Sequence, residues 1–292
     1  MANGQWYPPE WPDRIRALAD GTLTPTTPRR AATVMLLRDA ADAGGIEVHM
    51  LRRRTSMAFA AGAYAYPGGG VDPRDDDRQV RWAGPSRREW ALRLGVPERD
   101  AQAIVCAAVR ETFEEAGVLL AGPTPDTVVD DTTGADWTAD RQALIDRDVS
   151  FAEFLQRRGL VLRSDLLGAW ARWITPEFEP RRYDTWFFVA ALPPGQRTSD
   201  DSSEADRTVW IGPQQAAAAY DRGELSMMPP TIATLRTLAA HGSAAGALAG
   251  AAACDLTPVL ARARLEEGEL VLSWPGHDEF TKHIPTPGGS TS

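Results

Sequence analysis

The feature that most constrains this chain is the stretch Arg110-Glu111-Thr112-Phe113-Glu114-Glu115-Ala116-Gly117-Val118. Its glutamates fall at i, i+3 and i+4, a spacing that stacks Glu111, Glu114 and Glu115 on one face of a helix. Like charges so close repel and cost helix stability. Two neighbours argue against a merely solvated acidic face. Ala103 to Val109 is almost wholly apolar, which buries the helix before its charged end, and Gly117 stands where a C-cap is expected. Carboxylates projecting from a core-anchored helix call for a multiply charged cation. Oxygen donors with no His or Cys nearby select Mg²⁺ or Mn²⁺ over Zn²⁺, and Mg²⁺ commonly bridges to substrate phosphates. Arg110 reaches Glu114 at i+4 and holds its rotamer. Upstream, Tyr66-Pro67-Gly68-Gly69-Gly70-Val71-Asp72 is a glycine loop that lets backbone carbonyls approach a metal or phosphate.

Pro67-Gly68-Gly69 together with Arg110-Glu111-x-x-Glu114-Glu115-x-Gly117 resembles the signature of the Nudix hydrolases, metal-dependent enzymes that cleave nucleoside diphosphates linked to another group. The resemblance implies an α/β fold, an α/β/α sandwich with a mixed sheet, and a signature box folded as loop, helix and loop. It implies Glu111, Glu114, Glu115 and the Gly68 carbonyl as metal ligands, and Arg110 as the residue that orients them. Glu204, just before a strand, becomes a fourth carboxylate for metal or base catalysis. The family's box sets its glycine and arginine 14 positions apart. Here Gly69 and Arg110 stand 41 apart, an insertion of 27 residues. The box's first glutamate, eight before the arginine, falls on Gln102, and Asp72, Glu98 or Asp100 are candidates for its role. Gln102 itself is expected to carry no chemistry.

Ahead of the box, Ala31 to Arg38 and Ile46 to Arg53 read as strands joined by a hairpin turn. His49, alone on the second, reads as a sheet residue rather than a ligand. Arg52-Arg53-Arg54-Thr55-Ser56, then Gly62 and Tyr66, partly resembles the coenzyme A recognition element of the coenzyme A diphosphatases, although Met57-Ala58 replaces its inner Leu-Arg pair. Within the insertion, Asp75 to Asp77 reads as a solvated turn, because a ligand loop needs spaced oxygens and a glycine pivot. Ser86 to Leu94 has helical spacing, and Trp82 and Trp90 suggest a folded substrate wall.

Ala121 to Gly134 reads as a surface loop, and Trp137 to Gly159 as one or two amphipathic helices. Strands are expected at Gly168 to Pro176 and Tyr183 to Ala190, then entering at Glu204 to Ile211; helices follow at Pro213 to Arg222 and Pro229 to His241. Trp173-Ile174-Thr175-Pro176 with Arg181-Arg182-Tyr183-Asp184-Thr185 resembles the Nudix branch of peroxisomal coenzyme A diphosphatases, which also carry an insertion inside the box. Arg53, Arg54 and Arg182 are the candidate phosphate contacts, since guanidinium groups bind phosphate bidentately.

The expected organisation is a Nudix domain over 30–240, its insertion at 73–101, and a C-terminal extension over 241–292 with one strand at Leu270 to Trp274 and a disordered end. A net charge of −9 argues against general nucleic-acid or anionic-membrane binding. Cys106 and Cys254, far apart, ask for no oxidising compartment, and the Ala/Gly run at Ala244 to Cys254 is too short to span a bilayer. The expectation is a cytoplasmic enzyme acting on a small nucleoside diphosphate derivative, with a homodimer left open. Coenzyme A or an acyl derivative is the leading substrate, giving 3′,5′-ADP and phosphopantetheine. ADP-ribose, a dinucleotide, or a non-catalytic ligand-binding role are the alternatives.

Overall fold

The computed structural model describes residues 7–41, 44–54, 62–199, 205–266 and 269–284. Elements follow one another as α1 (Trp11–Ala19), β1 (Arg29–Asp39), β2 (Ile46–Arg53), β3 (Tyr64–Ala65), β4 (Gly68–Gly70), β5 (Trp82–Ala83), α2 (Arg87–Leu94) and α3 (Glu98–Ala116). Next come β6 (Ala121–Gly122), α4 (Ala135–Ile145), α5 (Phe151–Arg158), β7 (Val161–Arg163), β8 (Gly168–Ile174), β9 (Tyr183–Ala191) and β10 (Ala205–Ile211). The chain continues through α6 (Pro213–Asp221), α7 (Pro229–Leu238), α8 (Ala244–Gly250), β11 (Val259–Leu260), β12 (Arg262–Glu266), β13 (Glu269–Trp274) and β14 (His277–Ile284).

The central sheet runs β10-β2-β1-β9-β8-β11, with β3 on β2 and β4 on β1. It is mixed: β1 pairs parallel with β9 over Arg29 to Leu37 and antiparallel with β2 and β4. Central strands must bury both faces, and side chains alternate across the pleat. Ala32, Val34 and Leu36 of β1 and Trp186, Phe188 and Ala190 of β9 therefore face α3 and the helices around it. Met35, Leu37, Phe187 and Val189 face the other way, onto α1, α7, α8 and the C-terminal sheet. The result is the α/β/α sandwich implied by the resemblance.

Two smaller sheets add to the sequence reading. Ala121 and Gly122 do not begin a surface loop; they are buried and pair with β7, which also takes β5. The apolar run at Leu270 to Trp274 is the middle strand of three, β12-β13-β14, because its buried side chains need a partner on each edge to satisfy the backbone. Among the described residues no helix is long and apolar enough to cross a membrane.

Candidate active site

The long helix α3 is apolar along most of its length, and every residue from Ala101 to Arg110 is buried. It ends at Gly117, whose φ of 71° is the left-handed conformation that lets the chain leave the helix sharply. This fixes the charged last turn against the glycine loop. There β4 pairs with β1, Thr33 opposite Gly68 and Ala32 opposite Gly69. A Cβ on Gly68 would lie 1.9 Å from Thr33 Oγ1, and one on Gly69 would lie 2.6 Å from the Glu111 carboxylate. Gly68 is required by close approach to the β1 backbone, whereas a side chain at Gly69 would displace the Glu111 carboxylate.

Arg110 is the hub. Its Nε donates to Asp75 Oδ1 at 3.1 Å, and Nη2 donates to Asp75 Oδ2 at 3.0 Å and to the Gly70 carbonyl at 2.9 Å. Nη1 donates to Glu111 Oε1 at 2.7 Å and to Glu114 Oε1 at 3.2 Å. Glu115 Oε2 accepts from the Gly68 backbone N–H at 2.8 Å. The carboxyl groups far outnumber this one buried cation. Burial pushes the Glu111 pKa up to about 7, against the pull of Arg110. Burial likewise raises Glu114 and Asp75, again with Arg110 pulling the other way. The Arg110 guanidinium is desolvated too, but Glu111 and Asp75 more than restore its charge.

Asp75 is the residue that sequence reasoning missed. It is 2% exposed and forms a two-pronged ion pair with Arg110, so it is no solvated turn. It also closes a capping box with Asp72 in the short turn Pro73–Asp76. The signal was present: if the box is counted forward from Gly69 instead of backward from Arg110, its first acidic position lands on Asp75. The other candidates are occupied elsewhere or exposed. Asp72 binds Arg74, Asp100 pairs with Arg30, and Glu98 faces solvent. Gln102 is a buried strut: it accepts from Arg87 Nε and donates to the Asp77 carbonyl at 2.6 Å, tying the insertion to α3.

The cluster opens into a cleft of about 770 Å³. Gly68, Arg110, Glu111, Glu114, Glu115 and Arg53 all line it, so the structure brings these expected residues together. It does not bring Arg54 or Arg182 there. Arg54 Nε donates to the Ala205 carbonyl, and Arg182, 8% exposed, donates to the Thr175 and Thr26 carbonyls. Glu204 and the Met57-Ala58 pair lie outside the described residues. Arg29, Arg147, Arg181 and Tyr183 line the cleft without having been named as site residues. Past Asp75, nothing of the insertion does. Trp90 is buried edge-on against Phe188 and Trp82 lies under Arg87, so the insertion braces α3 and is not the substrate wall. The apolar wall of the cleft comes from α4, α5 and the turn between them, through Leu144, Ile145, Val149 and Phe151.

A metal fits this donor set by chemistry: the donors are all oxygen, desolvated and in excess of positive charge. The side chains are turned to protein partners, and among the described residues no three His, Cys, Asp or Glu side chains converge as a metal cluster. A cation would draw Glu111 and Glu114 away from Arg110, and Glu115 from the Gly68 N–H.

This sheet, helix and carboxylate arrangement defines the class of the Nudix hydrolases. A crystal structure of a Nudix hydrolase from Alicyclobacillus acidocaldarius superposes with a TM-score of 0.64 at 29% identity, covering 80% of this chain and 99% of that one. More narrowly, the family model of the NUDT19 Nudix domain matches residues 85–238, more than half of the chain, and the chain belongs to that family. Acyl-coenzyme A diphosphatase NUDT19 of Gallus gallus is 28% identical over 225 residues, covering 63% of this chain and 58% of the relative. The Homo sapiens protein of that name is 26% identical over 239 residues, covering 69% and 62%. The chain thus spans about three-fifths of the length of these relatives.

Proposed function

We propose that the chain hydrolyses the diphosphate linkage of a nucleoside diphosphate derivative, with coenzyme A or an acyl-coenzyme A as the leading substrate. The catalytic unit is assigned to 30–240, with 241–292 as an extension packed on it. The observation that carries this reading is the charge imbalance at the end of α3, where Asp75, Glu111 and Glu114 surround Arg110 and Glu115 accepts from the Gly68 N–H at the floor of an arginine-lined cleft. The likeness to relatives named acyl-coenzyme A diphosphatase supports the substrate.

Glu111, Glu114, Glu115 and the Gly68 carbonyl would hold Mg²⁺ or Mn²⁺. Such a cation, when bound, neutralises diphosphate charge and makes a water more acidic. Arg110 acts as a positioning residue, fixing Glu111 and Glu114 while Asp75 fixes Arg110. Arg29, Arg53 and Arg181 supply cationic contacts for the substrate's phosphates. Water attacks one phosphorus, the bridging P–O bond breaks, and two phosphate monoesters separate; Glu114, Glu115 or Glu204 takes the proton. Product analysis by mass spectrometry tests this reading. Coenzyme A with Mg²⁺ or Mn²⁺ should yield 3′,5′-ADP and phosphopantetheine. Efficient cleavage of ADP-ribose or a dinucleotide, with coenzyme A intact at millimolar concentration, would replace the substrate and keep the class. No turnover of any of them would leave a ligand-binding module.

A further inference from the structure

The α4–α5 turn holds the one non-glycine residue with positive φ among the described residues, Arg147 at 63°. Its backbone closes a regular helix ending: Arg147 N–H donates to the Leu144 carbonyl at 3.0 Å, and Asp148 N–H to the Ala143 carbonyl at 2.9 Å. That pattern wants a left-handed residue one place beyond the cap, where glycine has no Cβ to clash. The chain uses glycine for left-handed helix ends elsewhere: Gly95 after α2, Gly117 after α3 and Gly159 after α5. Of these left-handed helix ends, that of α4 alone carries an arginine.

The side chain has a place to go. Arg147 is exposed and lines the cleft with Glu114, Leu144, Val149 and Phe151, and its charge is close enough to act on the Glu114 carboxylate. Arg110, Arg30 and Arg74 are committed to carboxylates, whereas the Arg147 guanidinium has no hydrogen bond or ion pair among the described residues. Its backbone is anchored, since the Arg147 carbonyl accepts from Arg74 Nη1 at 3.2 Å. A cation on a fixed base, held in a conformation that disfavours its own side chain, is placed for a ligand rather than for the fold.

We propose that Arg147 is a substrate-positioning cation that grips the diphosphate, making the α4–α5 turn part of the binding site. The inference rests on the phosphoanhydride reading above, and two probes separate the two. The loss of inorganic pyrophosphate binding on substituting Arg147, measured by calorimetry at fixed Mg²⁺, reports that cation's grip; coenzyme A turnover reports the reaction. Arg147→Gly should raise Tm or leave it unchanged, because the left-handed backbone is relieved. It should also weaken pyrophosphate binding about tenfold or more and raise KM for coenzyme A by a similar factor. Arg147→Lys should recover part of the affinity, which a purely structural role would not produce. Unchanged pyrophosphate affinity in Arg147→Gly, or no pyrophosphate binding by the wild type, overturns the assignment. Wild-type protein that binds pyrophosphate in an Arg147-dependent way but leaves coenzyme A intact overturns the proposed reaction instead.

Discussion

On one face of the central sheet, Ala32, Val34, Leu36, Trp186 and Phe188 pack under α3, whose far end carries three glutamates and a buried arginine. On the other face, Met35, Leu37, Phe187 and Val189 pack under α7 and the C-terminal sheet, against Ile232, Leu235 and Leu272. Both faces are equally dry. The second buries the Tyr66 hydroxyl, which donates to the Thr231 carbonyl at 3.0 Å, and burial raises its pKa further out of reach. The first face leaves carboxylates in excess. Burial alone makes a core; burial of unbalanced charge beside an open cleft makes a reactive site.

Substitutions that remove charge on the α3 face sharpen this contrast most. Glu114→Gln or Glu115→Gln should lower turnover about a hundredfold or more, while Tm stays level or rises because repulsion is relieved. Activity lost only in step with folding would erase the distinction between the faces. Asp75→Ala removes the two-pronged partner of the buried Arg110, which keeps Glu111 and Glu114, and should cost about 1.5 to 3 kcal/mol in urea denaturation, with turnover falling in the folded fraction.

Ile232→Ala behind the sheet should cost about 2 to 5 kcal/mol, yet leave kcat per folded molecule unchanged. A specific kcat defect there would break the comparison. The smallest effect concerns pH. Because the folded Glu111 pKa lies above its ordinary value, at about 7, the native state binds the extra proton between the two values. In chelator, stability should therefore fall as pH rises from 4.5 to about 7 and then level off, and Glu111→Gln should flatten that slope in pH-dependent melting curves. An identical slope in the variant would remove Glu111 from the buried charge cluster.

The sheet was legible because its central strands are long apolar runs and α3 has helical spacing over its whole length. What escaped the sequence lies at element ends, where no periodicity fixes direction. Arg181 and Arg182 are consecutive, so they point apart; Arg181 lines the cleft and Arg182 ties down two carbonyls. Arg53 and Arg54 divide in the same way, and the sequence offers no apolar alternation there to choose between them. Asp75 was hidden by the insertion that separates it from Arg110. The left-handed turn at Arg147 was hidden because no glycine marks it. Trp90 suggested a substrate wall on polarity alone, but its ring is spent on Phe188.

The most direct measurement is hydrolysis of coenzyme A with Mg²⁺ in oxygen-18 water, followed by mass spectrometry of both halves. The wild type is expected to release 3′,5′-ADP and phosphopantetheine with the label in one of the two product phosphates, and Glu114→Gln and Glu115→Gln to release neither at a comparable rate. Intact coenzyme A would remove it as the substrate, and unlabelled products or wild-type rates in both variants would contradict a hydrolytic site at the charged end of α3.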